Sequence, residues 1–409
     1  MPTAAPVASR VHDVLIVGGG LVGASLAIAL DALGLDTGMV EAAAPGALPA
    51  VFDERNLSFA EATVNALTAL EVLPLLRAPT GAIQRIHVSR TGDFGRVRLE
   101  ARDHGRREFG RVVTARDFGE ALETRLSGLS RLTRHRPARF LGLEEAGAGV
   151  RMIRIADGDG ERLLGARLLV AADGTRSAVR AALGIAATQH DYAQTLWVAR
   201  LRAQRAPDGT AYERLTAHGP TALLPRGDGH FGLIHAVPRD EADAVAALDE
   251  TAFLDRVQTI FGWRVGRLLD CGPRTAYPIF GCTADALIAP RAVLVGNAAQ
   301  TLHPIGAQGF NLGLRDALTL AECIADADDP GDPAMLATYA RRRGPDRERT
   351  LAFADGLARF SATEAPFSSL LRSGALVAGD AMGWLQAWLV GGAMGYRGDT
   401  PALCRKVAA

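Results

Sequence analysis

The chain has 409 residues, equal numbers of acidic and basic side chains and a neutral isoelectric point. That length allows two or three domains, and the charge balance argues against nucleic acid as a partner. Met1 to Arg10 lacks the apolar run of a secretory signal. Cys271, Cys282, Cys323 and Cys404 are scattered without a CxxC pair, which suits free thiols in a cytoplasmic, reducing compartment. The histidines show no metal-ligand spacing and no GxSxG is present, so neither a metal centre nor hydrolase chemistry is expected.

In chain order, Val14 to Val17 is a short apolar strand. Gly18-Gly19-Gly20-Leu21-Val22-Gly23 follows, then a helical pattern through Ala24, Leu26, Ala27 and Leu30 that stops at Gly34. Met39-Val40 begins a second strand, and Glu41 closes it 23 residues after Gly18. This is the dinucleotide-binding βαβ pattern. Gly18 permits the tight turn, Gly20 lets backbone approach a pyrophosphate, and Gly23 lets helix and strand pack closely. Leu21 and Val22 open the helix, and Glu41 can accept from ribose hydroxyls.

Gln84 to Val88 and Arg96 to Glu100 read as a hairpin. Leu168 to Ala172 is an apolar strand leading into Asp173-Gly174-Thr175-Arg176-Ser177-Ala178-Val179-Arg180. By itself that stretch is also a strand-to-helix turn capped by Ser177 or Asp173. Thr195 to Leu201, Ala211 to Leu215, Ala222 to Leu224 and Phe231 to Val237 are strands separated by Gly/Pro turns, and Thr251 to Phe261 is helical. Together the strands predict an antiparallel sheet with one solvated face. Gly227, Gly229 and Gly232 repeat the GxGxxG spacing, but strand, turn and strand surround them, so a hairpin is expected there. A nicotinamide cofactor would then have no Rossmann domain of its own.

Ala292 to Val295 is a further strand, ended by Gly296. A loop with Pro304, Gly306 and Gly309 leads into a helix with Leu314, Leu318, Ala321 and Ile324 at helical spacing. Strand, glycine loop and helix N-terminus make an anion site. Asp326 to Pro333 reads as a surface loop.

The stretch Gly296-Asn297-Ala298-Ala299-Gln300-Thr301-Leu302-His303-Pro304 and its continuation resemble the flavin-contacting loop of the group A flavoprotein monooxygenases, most of all the ubiquinone-biosynthesis branch that hydroxylates polyprenylated methoxyphenols. The 173–180 stretch resembles that family's DGxxSxxR motif, implicated in pyrophosphate and nicotinamide contacts. The resemblance covers nearly the whole chain. It implies an α/β fold like para-hydroxybenzoate hydroxylase: a discontinuous Rossmann-like FAD domain (11–75, 105–185, 285–340), a substrate domain (76–104, 186–284) and a C-terminal helical region (341–409). It also implies FAD, NADPH or NADH as reductant, and oxygen transfer to a prenylated phenol through a flavin hydroperoxide. Gly18, Gly20, Leu21, Val22, Gly23, Glu41, Asp173, Gly174, Arg180, Gly296, Asn297, Gly306, Ala307, Gln308, Gly309, Phe310 and Asn311 are the implied cofactor residues. The backbone N–H groups at Gln308, Gly309 and Phe310 would stabilise charge on the reduced flavin. His303 and Pro304 should face flavin or substrate, His303 either as a proton carrier or as a loop-packing residue. Arg55, in Phe52 to Ser58, either reaches FAD or forms a surface salt bridge. Arg116 either contacts FAD phosphates or is an exposed helix-start charge.

Asn297 replaces the acid of most relatives but keeps a carbonyl acceptor. Gly306-Ala307 reverses their Ala-Gly order, so a positive φ at Ala307 would strain the loop, and exchanging the two residues is expected to relieve it. Another ring position, a soluble phenol, or a flavin-binding scaffold subunit are the alternative roles. Residues 373–396 carry one charge, Asp380, and several aromatic residues. They read as a helix packed on the FAD domain or as a peripheral contact with the inner face of the plasma membrane, or with partners in a ubiquinone-synthesising complex.

Overall fold

The computed structural model describes residues 10–48, 53–145, 149–363 and 367–405. Its first layer is a sheet with five parallel strands in the order Ala292–Leu294, Gly160–Ala171, Val11–Val17, Thr37–Val40 and Leu132–His135. Val11–Val17, Thr37–Val40, Ala292–Leu294 and the second half of Gly160–Ala171 are almost wholly buried, as a parallel sheet covered on both faces requires, while the edge strand Leu132–His135 is only partly buried. The helices Leu21–Asp31, Ala115–Ser127 and Gly309–Ala325 pack on it in one continuous core. Their approach is close. A Cβ at Gly23 would lie 2.0 Å from the Gly18 carbonyl oxygen, and one at Gly313 would lie 2.8 Å from Val22 Cγ2.

The second layer is a nine-stranded sheet ordered Gln300–Thr301, Thr275–Ala284, Ala187–Ala203, Phe231–Pro238, Gly219–Pro225, Thr210–Thr216, Arg85–Arg90 and Val97–Glu100, with Leu268–Cys271 beside Ala187–Ala203. Every expected strand and the Arg85–Glu100 hairpin are present. The sheet is mixed, however: Thr210–Thr216 runs parallel to Arg85–Arg90. Those two strands are distant in sequence, so no hairpin turn dictates their relative direction.

The expected solvated face is also absent from the centre of this sheet. Alternation sends Leu223, Phe231 and Leu233 to one side, where Phe253, Val257 and Phe261 of the helix Glu250–Phe261 cover them. Ala211, Leu215, Ala222, Leu224 and Ile234 point to the other side and line a cavity.

The rejected GxGxxG is a hairpin, with Arg226 N donating to His230 O. Gly229 takes φ 78° in the turn, and the other two glycines serve close packing. A Cβ at Gly227 would meet the Pro79 carbonyl oxygen at 2.4 Å, and one at Gly232 would meet the Asn56 side chain at 2.3 Å. A small third sheet, Asn56–Ala60, Gly110–Thr114 and Gly81–Ile83, joins the two layers.

The long helix Pro333–Ala362 bridges the layers, and Ser368–Ala381 and Gly383–Ala393 follow it. The last two helices pack against Val97, Leu99 and Ile83, which belong to or adjoin the substrate sheet, and their C-terminal end meets the expected FAD domain, where Ala62 N donates to Met394 O and Gln308 Nε2 to Ala393 O. Asp380 explains the first contact: it accepts from the Arg98 backbone N–H at 2.8 Å at the substrate sheet's edge. No helix among the described residues is long and apolar enough to cross a membrane.

Candidate active site

The C-terminal ends of the parallel strands open into a cavity of about 1000 Å³. Gly18, Gly20, Leu21, Val22, Glu41, Arg55, Asp173, Gly174, Asn297, His303, Pro304, Ala307, Gly309 and Phe310 all line it. The residues singled out from the sequence therefore make up part of its wall. Ligands collect at such strand ends because loops and helix N-termini converge there.

Glu41 is buried, and its Oε2 accepts from Arg134 Nη2 at 3.0 Å. Its Oε1 is buried with no partner. Burial, partly offset by Arg134, raises its pKa. A Cβ at Gly19 would sit 2.5 Å from Oε2, so only glycine leaves the carboxylate room there. An orphaned carboxylate oxygen beside a glycine turn fits a ribose hydroxyl donor. At the far end, the helix Gly309–Ala325 directs its unpaired first-turn N–H groups toward the cavity wall formed by Gly309 and Phe310. The residues present fit FAD.

Other expected residues serve the site indirectly. Ser177 caps the short helix Ala178–Ala182 by accepting from Arg180 N at 2.9 Å, and Asp173 supports that cap, accepting from Val179 N at 3.1 Å and from Ser177 Oγ at 2.5 Å. Arg180 is buried and is not among the lining residues; it donates to Ala298 O at 2.8 Å and Thr175 O at 3.0 Å, tying the two loops together. Asn311 uses all its side-chain capacity: Oδ1 accepts from Ala60 N and Thr63 Oγ1, and Nδ2 donates to Ser58 O and Ala307 O. It is a clamp for the loop. Gly296 adopts φ 58°, and a Cβ there would meet Val22 Cγ2 at 2.9 Å. Gln308 donates to Gly306 O at 3.2 Å and to Ala393 O at 3.4 Å.

Arg55 forms a salt bridge, but within the cavity wall. It is bidentate to Asp53 at 2.8 and 2.7 Å and lies 4.4 Å over the Tyr277 ring, whose hydroxyl also donates to Asp53. Phe52 of that stretch lies outside the described residues. Arg116 does not join the site: it is exposed, pairs with Glu54 at 2.5 Å and is absent from the lining, because it opens a surface helix.

His303 is the loop-packing alternative. Its Nδ1 accepts from Ile305 N at 3.2 Å, which leaves Nε2–H to donate to Gln194 Oε1 at 3.0 Å. Burial lowers its pKa to about 4. Both ring nitrogens are engaged in holding the loop in place, so the geometry gives this imidazole no free proton position.

Ala307 takes φ 51° and Gly306 φ 72°. The strain expected at Ala307 is present. The two-residue exchange would only move it, since an alanine at position 306 would also need positive φ.

Sequence reading missed a buried ion network behind the loop. Arg315 Nε pairs with Asp346 at 2.8 Å, and Arg343 pairs with both Asp346 and Asp316 at 2.8 Å. Asp316 in turn accepts from Gly296 N at 3.1 Å and Gln300 Nε2 at 2.6 Å. The long helix thus braces the glycine loop through charge-assisted bonds. The available signal was the placing of Arg315, Asp316, Arg343 and Asp346 on the inward faces of two helices.

A second cavity, about 290 Å³, lies on the inner face of the substrate sheet. Val88, Leu99, Leu215, Leu224, Phe353, Leu357 and Phe360 make it apolar, and Leu376 and Leu389 roof it. Ile234, Pro304 and Ala307 line both cavities, so the two meet at the glycine loop. Glu213 is the one carboxylate of the sheet that faces this chamber.

The sequence matches the family described as FAD binding domain over residues 11–354. It is 34% identical to the ubiquinone hydroxylase UbiL of Rhodospirillum rubrum over 95% of this chain and 90% of that one. The chain belongs to the FAD-dependent ubiquinone hydroxylases. Escherichia coli 3-demethoxyubiquinol 3-hydroxylase is 26% identical over 82% of this chain and 86% of its own. Among solved structures, p-nitrophenol 4-monooxygenase from Pseudomonas putida superposes with a TM-score of 0.78 at 16% identity, covering 95% of this hydroxylase and 99% of that chain. That likeness confirms the fold. The hydroxylase is therefore an FAD-dependent monooxygenase.

Proposed function

We propose that the enzyme hydroxylates a prenylated phenol of the 2-polyprenyl-6-methoxyphenol type in ubiquinone biosynthesis, using NADPH or NADH and O2. The observation that carries this reading is the apolar chamber joined to the flavin cavity at Ile234, Pro304 and Ala307. A small soluble phenol would need polar partners spread around the ring. This chamber offers mostly aliphatic and aromatic wall, suited to a ring bearing isoprene units.

Bound FAD supplies the two-electron chemistry with NAD(P)H and the activation of O2. The chain's own residues do the rest. Glu41 and the Gly18–Gly23 turn would hold the adenosine half, and Asn297 the ribityl chain. The N–H groups at Gln308, Gly309 and Phe310 would favour negative charge on the ring system. Asp173 and Arg180 hold in place the turn that would face the pyrophosphate. Pro304 and Ala307 set the plane against which the phenol lies, and the apolar wall excludes water. We place the FAD domain at 11–75, 105–185 and 285–340, with the substrate domain between.

The same two helices that roof the chamber expose Leu370, Leu371, Trp384 and Trp388 on their outer side, between 51% and 73% accessible. A polyprenyl tail longer than the chamber must leave it, and this apolar, tryptophan-bearing surface suits the interface of a membrane. Peripheral binding there is part of the proposal.

Purified enzyme should oxidise NAD(P)H faster when given a short-chain 2-prenyl-6-methoxyphenol, and mass spectrometry should show one added oxygen. Equal turnover of unprenylated 2-methoxyphenol would replace the substrate class with soluble phenols. Substrate-independent NAD(P)H oxidation without product would favour a scaffold role. The double variant Leu371→Ser with Trp384→Ser should keep its FAD and lose recovery with liposomes.

A further inference from the structure

We propose that Glu213 is the catalytic base that takes the phenolic proton of the substrate; this rests on the prenylated-phenol reading above. The inference starts from strand alternation. In Thr210–Thr216, Ala211, Glu213 and Leu215 share one face, and all three line the apolar chamber. The strand neighbours of Glu213 are Val88 on one side and Ala222 on the other, and Ala222 pairs onward with Ile234. A carboxylate in the middle of an aliphatic row opposes folding, so its presence calls for a use.

Its position supplies one. Glu213 lies near the Gly306 backbone N–H, and Gly306 sits between Pro304 and Ala307, which line both cavities, so Glu213 stands close to where the two meet. Two strand spacings, roughly 10 Å, separate it from Ile234 at the flavin cavity's edge. A phenol ring fills that distance with its hydroxyl toward Glu213 and its reacting carbon toward the flavin side. The charged groups around it are already engaged. Arg315 is paired with Asp346, Arg349 Nε donates to Pro345 O, and Arg397 lies over the Trp388 ring. On its own strand, Tyr212 stacks with Phe261 and Arg214 donates to Ile260 O and Ser89 Oγ. No ion pair to Glu213 is found among the described residues. Burial pushes its carboxyl up to about 7, with the Gly306 N–H opposing. Such a group is near half-ionised at neutral pH, as a general base should be.

The step is a proton transfer. The phenol O–H bond breaks, the proton bonds to a Glu213 carboxylate oxygen, and the electron pair stays on the phenolate oxygen. Delocalised into the ring, that pair raises the nucleophilicity of the carbons ortho and para to it. The oxygen atom comes from O2 and the electrons from NAD(P)H, as in the monooxygenase reaction itself.

The test compares FAD-loaded wild type, Glu213→Gln and Glu213→Asp with a short-chain 2-prenyl-6-methoxyphenol. Wild-type kcat/KM should rise with pH through about 7 and then level. Glu213→Gln should keep FAD content and Tm, lose that limb, and fall roughly a hundredfold or more in kcat at neutral pH. Glu213→Asp should keep the limb at reduced rate. A ring-fluorinated analogue that is already ionised should restore Glu213→Gln to within about tenfold of wild type, which a merely structural role would not allow. Wild-type turnover with an unimpaired Glu213→Gln variant overturns the proton step and leaves the substrate reading standing. Absence of wild-type turnover overturns both.

Discussion

The two cavities meet at Pro304 and Ala307 but are built in opposite ways. The flavin cavity is made of backbone: glycine turns, strand ends and a helix N-terminus, with Glu41 as its one orphaned acceptor. The apolar chamber is made of side chains drawn from many separate parts of the chain, among them those around Val88, Glu213, Phe353 and Leu389. Backbone sites are rigid because their geometry leaves little choice of residue. The side-chain chamber tolerates changes of shape, and so is where substrate preference can be set.

The sharpest way to break this contrast is to loosen the backbone site from behind. Arg343→Ala leaves Asp316 and Asp346 without their shared partner in a fully buried network. A loss of about 3–5 kcal/mol is expected, visible as a lower Tm and released FAD. If FAD retention survives, the network does not brace the loop. Next in size, Glu41→Ala removes the acceptor proposed for the ribose. FAD affinity should fall by about 1.5–3 kcal/mol, the range for hydrogen bonds to a charged group, measured by fluorescence titration. Unchanged affinity would remove Glu41 from the cofactor site.

A pH scan of the apoprotein gives the third test. Burial lowers the pKa of His303, His135 and His87 to about 4 and of His235 to about 3. The folded protein therefore binds fewer protons than the unfolded chain below the ordinary histidine value. Stability is full above about pH 6.5 and should be lost progressively as pH falls from there through 4. Asp346, held below the ordinary carboxylate range by Arg315 and Arg343 against the cost of burial, gives up its contribution only at still lower pH. A flat Tm between pH 6.5 and 4.5 would show that these imidazoles open to water. The smallest expected effect is at the junction. Ala307→Gly should raise stability by about 1 kcal/mol or less, since the strain relieved is partly offset by glycine's extra chain entropy. A drop in Tm would mean that the Ala307 methyl contributes more by packing than its φ costs.

What the sequence determined by itself follows the same division. Gly18 to Gly23, Glu41, Asp173 and the 296–311 loop were legible because each is a contiguous run whose backbone chemistry needs particular residues at fixed spacing. Most strands and the Glu250–Phe261 helix were legible from local periodicity. Only the tertiary structure decided the rest. It turned Arg180, Asn311 and His303 into braces, because their partners lie on segments distant in sequence. It moved Arg116 to the surface and Arg55 into a pair with Asp53. It laid the C-terminal helices over the substrate sheet, where Asp380 finds the Arg98 N–H. Glu213 was a polar residue in a strand until the fold showed that its face looks inward, because a strand's alternation fixes which residues share a side while only packing decides which side is buried.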